Sequence, residues 1–550
     1  MTDPGATSGC SLVDFDLDGD LDLYFTVWNV YDGRDSHDRV LRNDGGTFRH
    51  AYPELESPDA HLASAWGDFD GDGDLDVYVV GVTNRLFRND AGTFVDVTAP
   101  PLTVGADGGA PTWIDFDRDG DLDLVAAYNA PGVVRFFRND GPGRFTDVTP
   151  PFLETYVGGV QSIAWGDWDN DGDSDPYLVR TPSSTSDGAN FLLRNDGGGT
   201  FVDVTVPPLD DRGFGHGGVW ADVDNDGDLD LYVTNIFGPN RFFRNDGEGG
   251  FVDASEGDLG DPANCSGVAF GDFDNDGRID LYFCEASGSN KLLHNDCTPT
   301  RISFKSIAQP PLTDGGVGIG VAFGDVDGDG DLDLALANVD EFHANRLFRN
   351  DNLGLGHWLQ IDLVGTVSNR FGVGARIVTE EGAVRQMREI SAGEGLSSQE
   401  PFTAHFGLGP DPGMSVDRVT VRWPSGIVQT VEGLPVDRRI VITEESSTPA
   451  PIPGPFAGAF RLAPPFPNPF RDETELRFNL PAAGPVAISI FSVAGRKIRD
   501  VRIDGLGAGP NRWVWDGRDD VGGPATAGIY FVRLVASDGV LADKLVRVRR

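Results

Sequence analysis

The sequence predicts an all-β protein: a seven-bladed β-propeller followed by a small β domain and a C-terminal β-sandwich. Three observations carry this. The motif D-x-D-x-D-G-x-x-D occurs seven times, and successive copies begin 54, 47, 52, 55, 50 and 53 residues apart. Each period holds four short strand-like runs, and almost nothing reads as an amphipathic helix. A period of about 50 residues signals a repeat architecture, and four short antiparallel strands per repeat can close radially as a propeller. A linear β-solenoid is the alternative, but its coils are usually shorter.

The first motif holds Asp14, Asp16, Asp18, Asp20 and Asp22, and the second Asp68, Asp70, Asp72, Asp74 and Asp76. The third holds Asp115, Asp117, Asp119, Asp121 and Asp123, and the fourth Asp167, Asp169, Asp171, Asp173 and Asp175. The fifth holds Asp222, Asp224, Asp226, Asp228 and Asp230. The sixth departs once, with Asp272, Asp274, Asp276, Arg278 and Asp280, and the seventh returns to Asp325, Asp327, Asp329, Asp331 and Asp333. Acids this dense repel one another unless a cation sits among them.

Ca²⁺ takes roughly 6–8 oxygen ligands, and D-x-D-x-D-G opens like an EF-hand loop, with side chains at positions 1, 3 and 5 and a glycine at 6. The EF-hand then needs a glutamate at position 12. Here position 12 is Phe25, Val79, Ala126, Leu178, Val233, Phe283 or Leu336, apolar every time. The last acid falls at position 9 instead. Position 7 tolerates Arg278, which fits a ligand acting through its backbone carbonyl. The motif therefore reads as a Ca²⁺ loop between two strands, one ion per blade and about seven in all. Mg²⁺ fits less well, because it keeps its waters and takes fewer protein carboxylates.

In the second repeat the strand-like runs are residues 63–68, 75–80, 85–88 and 93–97. The last two are joined by Asn89-Asp90-Ala91-Gly92, which is hairpin-turn chemistry, and similar turns begin at Asn43, Asn139, Asn195 and Asn245. The seventh repeat lacks an outer run of the Phe-Val-Asp-Val-Thr kind. Two expectations follow: a strand upstream of Met1 has been lost along with a signal peptide, or residues 357–363 close the ring.

Residues 356–445 lack the acidic motif and alternate as strands at 358–363, 375–378, 418–423 and 440–443. Residues 446–470 form a proline-rich, semi-rigid linker. Beyond it, runs at 475–479, 486–492, 512–515, 529–535 and 543–548 have the spacing of a small sandwich.

The formal charge of −44 argues against nucleic acid, which needs clustered Lys and Arg. Residues 459–550 reverse the sign, with 14 Lys and Arg against 10 Asp and Glu, as a separate module would. No apolar run reaches the length of a transmembrane helix, and residues 1–13 show no signal peptide. Cys265 and Cys284 flank one acidic loop and could face each other on adjacent strands, as a disulfide or as buried thiols. The eight histidines are scattered, with no H-E-x-x-H and no G-x-S-x-G. His61 and His216 precede acidic loops by similar distances and could approach the propeller axis.

The seven motifs resemble the FG-GAP/VCBS repeats of integrin α-chain propellers and bacterial surface proteins. The resemblance implies Ca²⁺ clips at one face of the propeller, with side-chain ligands at positions 1, 3, 5 and 9 and a carbonyl at 7. Residues 356–445 are similar to the ASPIC/UnbV domain of cartilage acidic protein-like chains, through Gly356-His-Trp-Leu, Ser368-Asn-Arg-Phe-Gly-Val-Gly-Ala-Arg376, His405-Phe-Gly-Leu-Gly409 and Arg422-Trp-Pro-Ser-Gly426. Residues 459–550, with the domain itself placed at 471–550, resemble the Ig-like sorting modules of bacterial type IX secretion, related to the flagellar hook-capping fold. That likeness rests on Pro467-Asn-Pro469, Ala494-Gly-Arg496, Trp515-Asp-Gly517 and Gly528-Ile-Tyr-Phe531, and it implies export.

The expected function is therefore a secreted or cell-surface, non-enzymatic calcium-binding propeller. It is expected to be a monomer that binds a carbohydrate or an extracellular protein, for adhesion. The alternative is a Ca²⁺-assisted polysaccharide lyase or other carbohydrate-active enzyme.

Overall fold

The computed structural model describes residues 7–445 and 461–547, apart from 29–36, 57–58, 105–107, 129–131, 156–158, 183–186, 248–249, 287–288, 299–300, 308–309, 314, 341–342, 352–355, 383, 394, 411–412, 414, 463–473, 494–495, 507–508, 521, 527 and 538. The described residues are all β, with two short 3₁₀ turns and no α-helix. They divide into two compact units, Met1–Thr448 and Pro449–Arg550.

Seven sheets follow one another in the first unit; five of them are four strands of one repeat in chain order, and the first adds Ser398–Gln399 to its four. The second is representative, with His61–Gly67, Asp76–Gly81, Arg85–Asn89 and Phe94–Asp96. Burial grades outward along each sheet. The first two strands are buried almost throughout, the third alternates, and the fourth leaves two of its three residues exposed. A strand sandwiched between two neighbouring sheets is covered on both faces, so runs such as Asp22-Leu-Tyr-Phe-Thr-Val27 are buried without alternation. Aromatic rings fill the wedges between sheets. Phe15 of the first loop stacks on Trp66 of the second sheet at 5.3 Å, and Phe69 on Trp113 of the third at 6.0 Å. Gly67 admits Trp113, whose ring would lie 2.8 Å from a Cβ there.

The seventh sheet has three strands among the described residues, Gly318–Gly324, Asp333–Asn338 and Arg346–Phe348. It packs against the first, in a core shared by Leu12, Leu23 and Phe25 with Ala322, Val326 and Ala335. The expectation that residues 357–363 close the ring is corrected. His357–Val364 pairs instead with Ala404–Gly409 and Arg438–Thr443. Its partners lie in its own domain, and ring closure is made face to face by the side chains just named.

The same compact unit holds a second sheet of Val384–Glu389, Arg376–Glu381, Ser415–Arg422 and Val428–Pro435. Its Ile377, Val419 and Val421 join a core that also contains Trp113 and Ile114 of the propeller-like region. The sequence divides residues 1–355 from 356–445, whereas the packing joins them. The expected linker falls mostly outside the described residues. The second unit stacks two sheets over Leu476, Phe478, Ile488, Trp515, Val532 and Leu534. Lys497–Leu506 is an added strand there, which sequence reading missed because its alternation is largely charged.

All four cysteines are buried free thiols. Cys265 stands opposite Glu285, and a bulge before Val268 shifts the register, so Cys284 is not its partner and the possible disulfide is not formed. No described helix is long and apolar enough to cross a membrane.

Candidate functional site

Each acidic loop joins the first two strands of its sheet, at the same end of every repeat. Two left-handed residues bend it. Position 4 has a positive φ in all seven copies, even where it is Leu17 (58°) or Arg118 (61°), and the glycine at position 6 lies between 90° and 101°. The double reversal wraps the backbone around position 1. Asp14 accepts N–H groups from Asp18 at 3.1 Å and Gly19 at 2.9 Å, and Asp115 repeats the pattern with Asp119 and Gly120 at 3.1 Å.

Position 9 sits deepest. Asp22, Asp76, Asp123, Asp175, Asp280 and Asp333 have no exposed surface and Asp230 has 1%. Each accepts the backbone N–H of an asparagine that ends or follows the third strand, as Asp22 does from Asn43 and Asp333 from Asn350, both at 2.7 Å. Desolvation outweighs this bond and pushes the carboxyl up, to about 8 for Asp22, 9 for Asp76 and Asp123, 10 for Asp175 and 7 for Asp333. Burial likewise raises Asp14 and Asp68 to about 6, Asp115 to about 8, and Asp222 and Asp272 to about 7.

One carboxylate oxygen from each of Asp14, Asp16 and Asp18 lies within 4.8 Å of the others, as do those of Asp68, Asp70 and Asp76, of Asp115, Asp117 and Asp123, and of Asp167, Asp169 and Asp171. Several of these oxygens are buried with no hydrogen-bond donor: Oδ1 of Asp16, Asp117, Asp167, Asp224 and Asp274, and Oδ2 of Asp175. Buried, convergent and undonated carboxylates are stable as anions only beside a positive charge. An all-oxygen donor set fits a hard divalent cation. The side chains at position 7 are engaged elsewhere: Asp20 accepts from Gly45 N–H at 2.7 Å, Asp173 pairs with Arg118 at 3.0 Å, and Arg278 donates to the Asn295 carbonyl at 2.6 Å.

The asparagines that sequence reading treated as turn residues hold adjacent sheets together. Nδ2 of Asn89 donates to Phe15 O at 3.3 Å, that of Asn139 to Phe69 O at 2.7 Å, and that of Asn195 to Phe116 O at 2.8 Å. Asn245, Asn295 and Asn350 reach Trp168, Val223 and Phe273 in the same way. Each bond runs to position 2 of the preceding loop, and Asn43 completes the circle by donating to Val326 O at 2.9 Å. The available signal was an asparagine that recurs before turns of varying composition.

The loop face is covered by the domain that follows. Gln360 donates to Asp325 at 2.9 Å, Arg439 to Gly19 O at 3.0 Å, and Arg118 to Pro424 O at 2.8 Å. Arg376, 6% exposed, bridges Glu389 at 2.6 Å and Asp167 at 3.6 Å. His405 is pushed down to about 3 by burial and is therefore neutral, with Nε2 held 2.7 Å from Asn275 Oδ1. A cavity of about 130 Å³ remains between the two, lined by Asp222, Asp272, Arg388, Glu400 and His405 among others.

The segment from Ser391 to Glu400 enters the axis. Trp113 N–H donates to Ala392 O at 3.3 Å, Gly395 N–H to Gly218 O at 3.1 Å, and Cys10 N–H to Ser397 O at 3.0 Å. Ser162 donates to Gly395 O, and Val321 N–H to Ser398 Oγ at 2.9 Å. Gln399 grips Trp66 twice, accepting its N–H at 2.7 Å and donating to its carbonyl at 3.1 Å. Ser398–Gln399 adds as a parallel strand to Thr7–Val13. A Cβ on Gly395 would come 2.4 Å from Val268 O of the sixth sheet, so the segment touches the innermost strand of all seven sheets. None of its residues was singled out from sequence.

His61 and His216 do lie on innermost strands. His61 is fully buried, with Nδ1 2.5 Å from Asp38, which also accepts from Tyr24 OH at 2.8 Å and from Val27 N–H at 2.9 Å. Burial pushes His216 down to about 4.

Six segments, residues 9–79, 81–126, 115–178, 173–233, 222–283 and 272–336, match the FG-GAP-like repeat, and residues 365–449 match ASPIC and UnbV. Fold and loops together define a protein of repeated, radially arranged four-stranded sheets. The chain belongs to the FG-GAP-like repeat family, and it carries an ASPIC/UnbV domain. No functionally curated protein matches it. Similar solved structures include an Agrocybe aegerita lectin described for specific recognition of non-reducing terminal N-acetylglucosamine, at 18% identity over 64% of this chain and 92% of that one, TM-score 0.39. YCF48 bound to D1 peptide matches at 9% identity over 62% and 91%, TM-score 0.38. PorZ, a surface component of the Porphyromonas gingivalis type-IX secretion system, matches at 12% identity over 98% and 70%, TM-score 0.28.

Proposed function

We propose that this protein is a non-enzymatic, calcium-binding seven-bladed propeller that serves at the cell surface or in the medium as a binding module for carbohydrate or protein ligands. In this reading the seven sheets are the blades, and Asp side chains at positions 1, 3, 5 and 9 of each loop hold one Ca²⁺. The carrying observation is that the acidic loop recurs once per sheet, with carboxylates that converge in the first four loops, on a face that the ASPIC/UnbV domain covers. Catalysis needs one accessible site, whereas stapling a blade needs one site per blade. The filled axis supports the same reading, because an enzyme of this shape would admit substrate there. The C-terminal unit is read as an Ig-like sorting module that would direct export, a reading supported by the change of charge from residue 459 onward.

Purified protein should carry about seven Ca²⁺ per chain by elemental analysis, following one ion per loop. A glycan array and a polysaccharide-cleavage screen on the same preparation separate the two functional readings. Binding without turnover supports the module. Release of unsaturated uronic-acid products would overturn it in favour of a lyase.

A further inference from the structure

The inner hairpin of the fifth sheet reaches further than its counterparts, at the end away from the acidic loops. Its strands Phe214–Ala221 and Asp230–Ile236 hold eight and seven residues, against at most seven and six in the other sheets of the ring. In the second and sixth sheets the hairpin ends with Val82 N–H on Ala60 O and Ala286 N–H on Asn264 O. At this place in the fifth, Phe214 and Ile236 form a full ladder pair, and Phe237 follows at the tip. The rings of Phe214 and Phe237 meet edge to face, with centroids 5.6 Å apart at 85°. Phe237 is 74% exposed and Phe214 39%, and they are the two exposed phenylalanines among the described residues of Met1–Thr448. The backbone of Phe237 is left-handed, with φ 62°. Its N–H donates at 2.8 Å to Oδ1 of Asn264, which leads into the first strand of the sixth sheet.

We infer that Phe237 and Phe214 form the platform of a binding site for a neutral pyranose glycan. The inference rests on the reading of the chain as a binding module, and it supplies that module's ligand class and place. A phenylalanine at positive φ is strained, and one left in water forgoes the gain of burial. The fold therefore gains little from Phe237, and strain kept at an exposed aromatic residue points to function. The face of a phenyl ring is negative and attracts polarised C–H groups, which a pyranose presents on its flat side with hydroxyls at the rim. Asn264 supplies the polar partner. Its Oδ1 is taken by Phe237 N–H, while its Nδ2 makes no bond among the described residues and stands as a donor beside the ring. A protein ligand fits less well, because a stable contact buries about 800 Å² per partner. Here the tip is flanked by Gly213 and Gly238, which add no side chains to widen the two rings into such a face. The formal charge of −44 repels polyanionic chains such as polyuronates, which leaves neutral sugars.

The test is affinity electrophoresis of the full chain, in calcium, through gels containing a soluble β-glucan, an α-mannan, a galactan or polygalacturonate. The wild type should be retarded by at least one neutral polysaccharide and not by polygalacturonate. Phe237→Gly should weaken that retardation by about tenfold or more, as loss of an aromatic anchor does. It should keep the wild-type melting temperature, because glycine accepts positive φ without strain. Phe237→Trp should retain binding, and Val82→Ala, at an exposed residue of the second sheet's hairpin, should not change it. Wild-type retardation of Phe237→Gly would overturn this site while leaving the carbohydrate-module reading in place. Retardation by no neutral polysaccharide, or by polygalacturonate as strongly, would overturn the ligand class. Cleavage of polygalacturonate in the same gels would instead count against the module reading itself.

Discussion

Nδ2 of Asn43 donates to the carbonyl of Val326 across 283 residues of sequence, at 2.9 Å. The bond is the seventh of seven equivalent ones, and it joins the first sheet to the last. The same amide also donates to Leu21 O at 3.1 Å, and the residue has no exposed surface.

Asn43→Ala should therefore strand two buried carbonyls and one turn of the ring. A loss of about 1–3 kcal/mol is expected from such unsatisfied groups, read as a lower urea midpoint. Asn139→Ala, at an interior joint of the ring, should cost a similar amount; a near-zero cost for Asn43 alone would mean that the ring does not depend on its closing bond.

Removal of calcium should lower the melting temperature sharply. At a free-ion concentration ten times Kd, each site contributes about 1.4 kcal/mol through mass action. Differential scanning calorimetry with and without chelator checks this, and an unchanged transition would leave the acidic loops without a structural role.

The pH dependence should reverse sign with metal. In metal-free protein the position-9 carboxyls are raised by burial from 3.8 to between about 7 and 10. Between about pH 4 and 8 the unfolded chain then releases protons that the folded one retains, so stability falls as pH rises. With calcium bound, protons compete with the ion, and stability should instead fall as pH drops. Melting curves across this range in the two conditions give the two slopes.

Arg376 joins Asp167 of the fourth loop to Glu389 of the covering domain while itself buried. Arg376→Ala leaves Glu389 without its cation and Asp167 with only Arg422, 3.9 Å away. A destabilisation of about 3–5 kcal/mol is expected, measurable by chemical denaturation. Arg418→Ala, at an exposed pair with Glu380, is the control and should cost less than about 1 kcal/mol.

The repeat period, the strands within it and the convergent acids were all legible, because each is local and repeated seven times. Asp14 to Asp22 announces itself by spacing alone. Gln399 and Glu400 did not, since their meaning lies in backbone groups of Trp66 and Phe323 more than 70 residues away. Glu444 was equally silent. Its carboxylate accepts the N–H groups of Thr366, Val367 and Ser368 at 2.7–2.9 Å and pins two motifs that sequence could only match separately. Tertiary partners of single polar residues have no periodicity to betray them. The Asn43 series lay between these cases: its recurrence was visible, while its partner was not.

The segment Ser391–Glu400 also sets an order of events during synthesis. The repeat strands of all seven sheets leave the ribosome before Gln399 is made, so the amide groups of Cys10, Trp66 and Trp113 must wait for partners encoded after the last of them. Until then the innermost strands present open backbone edges, which invite pairing with other chains. A nascent chain paused near residue 355 is thus the form most exposed to misassembly, and completion of the covering domain is the step that ends this exposure.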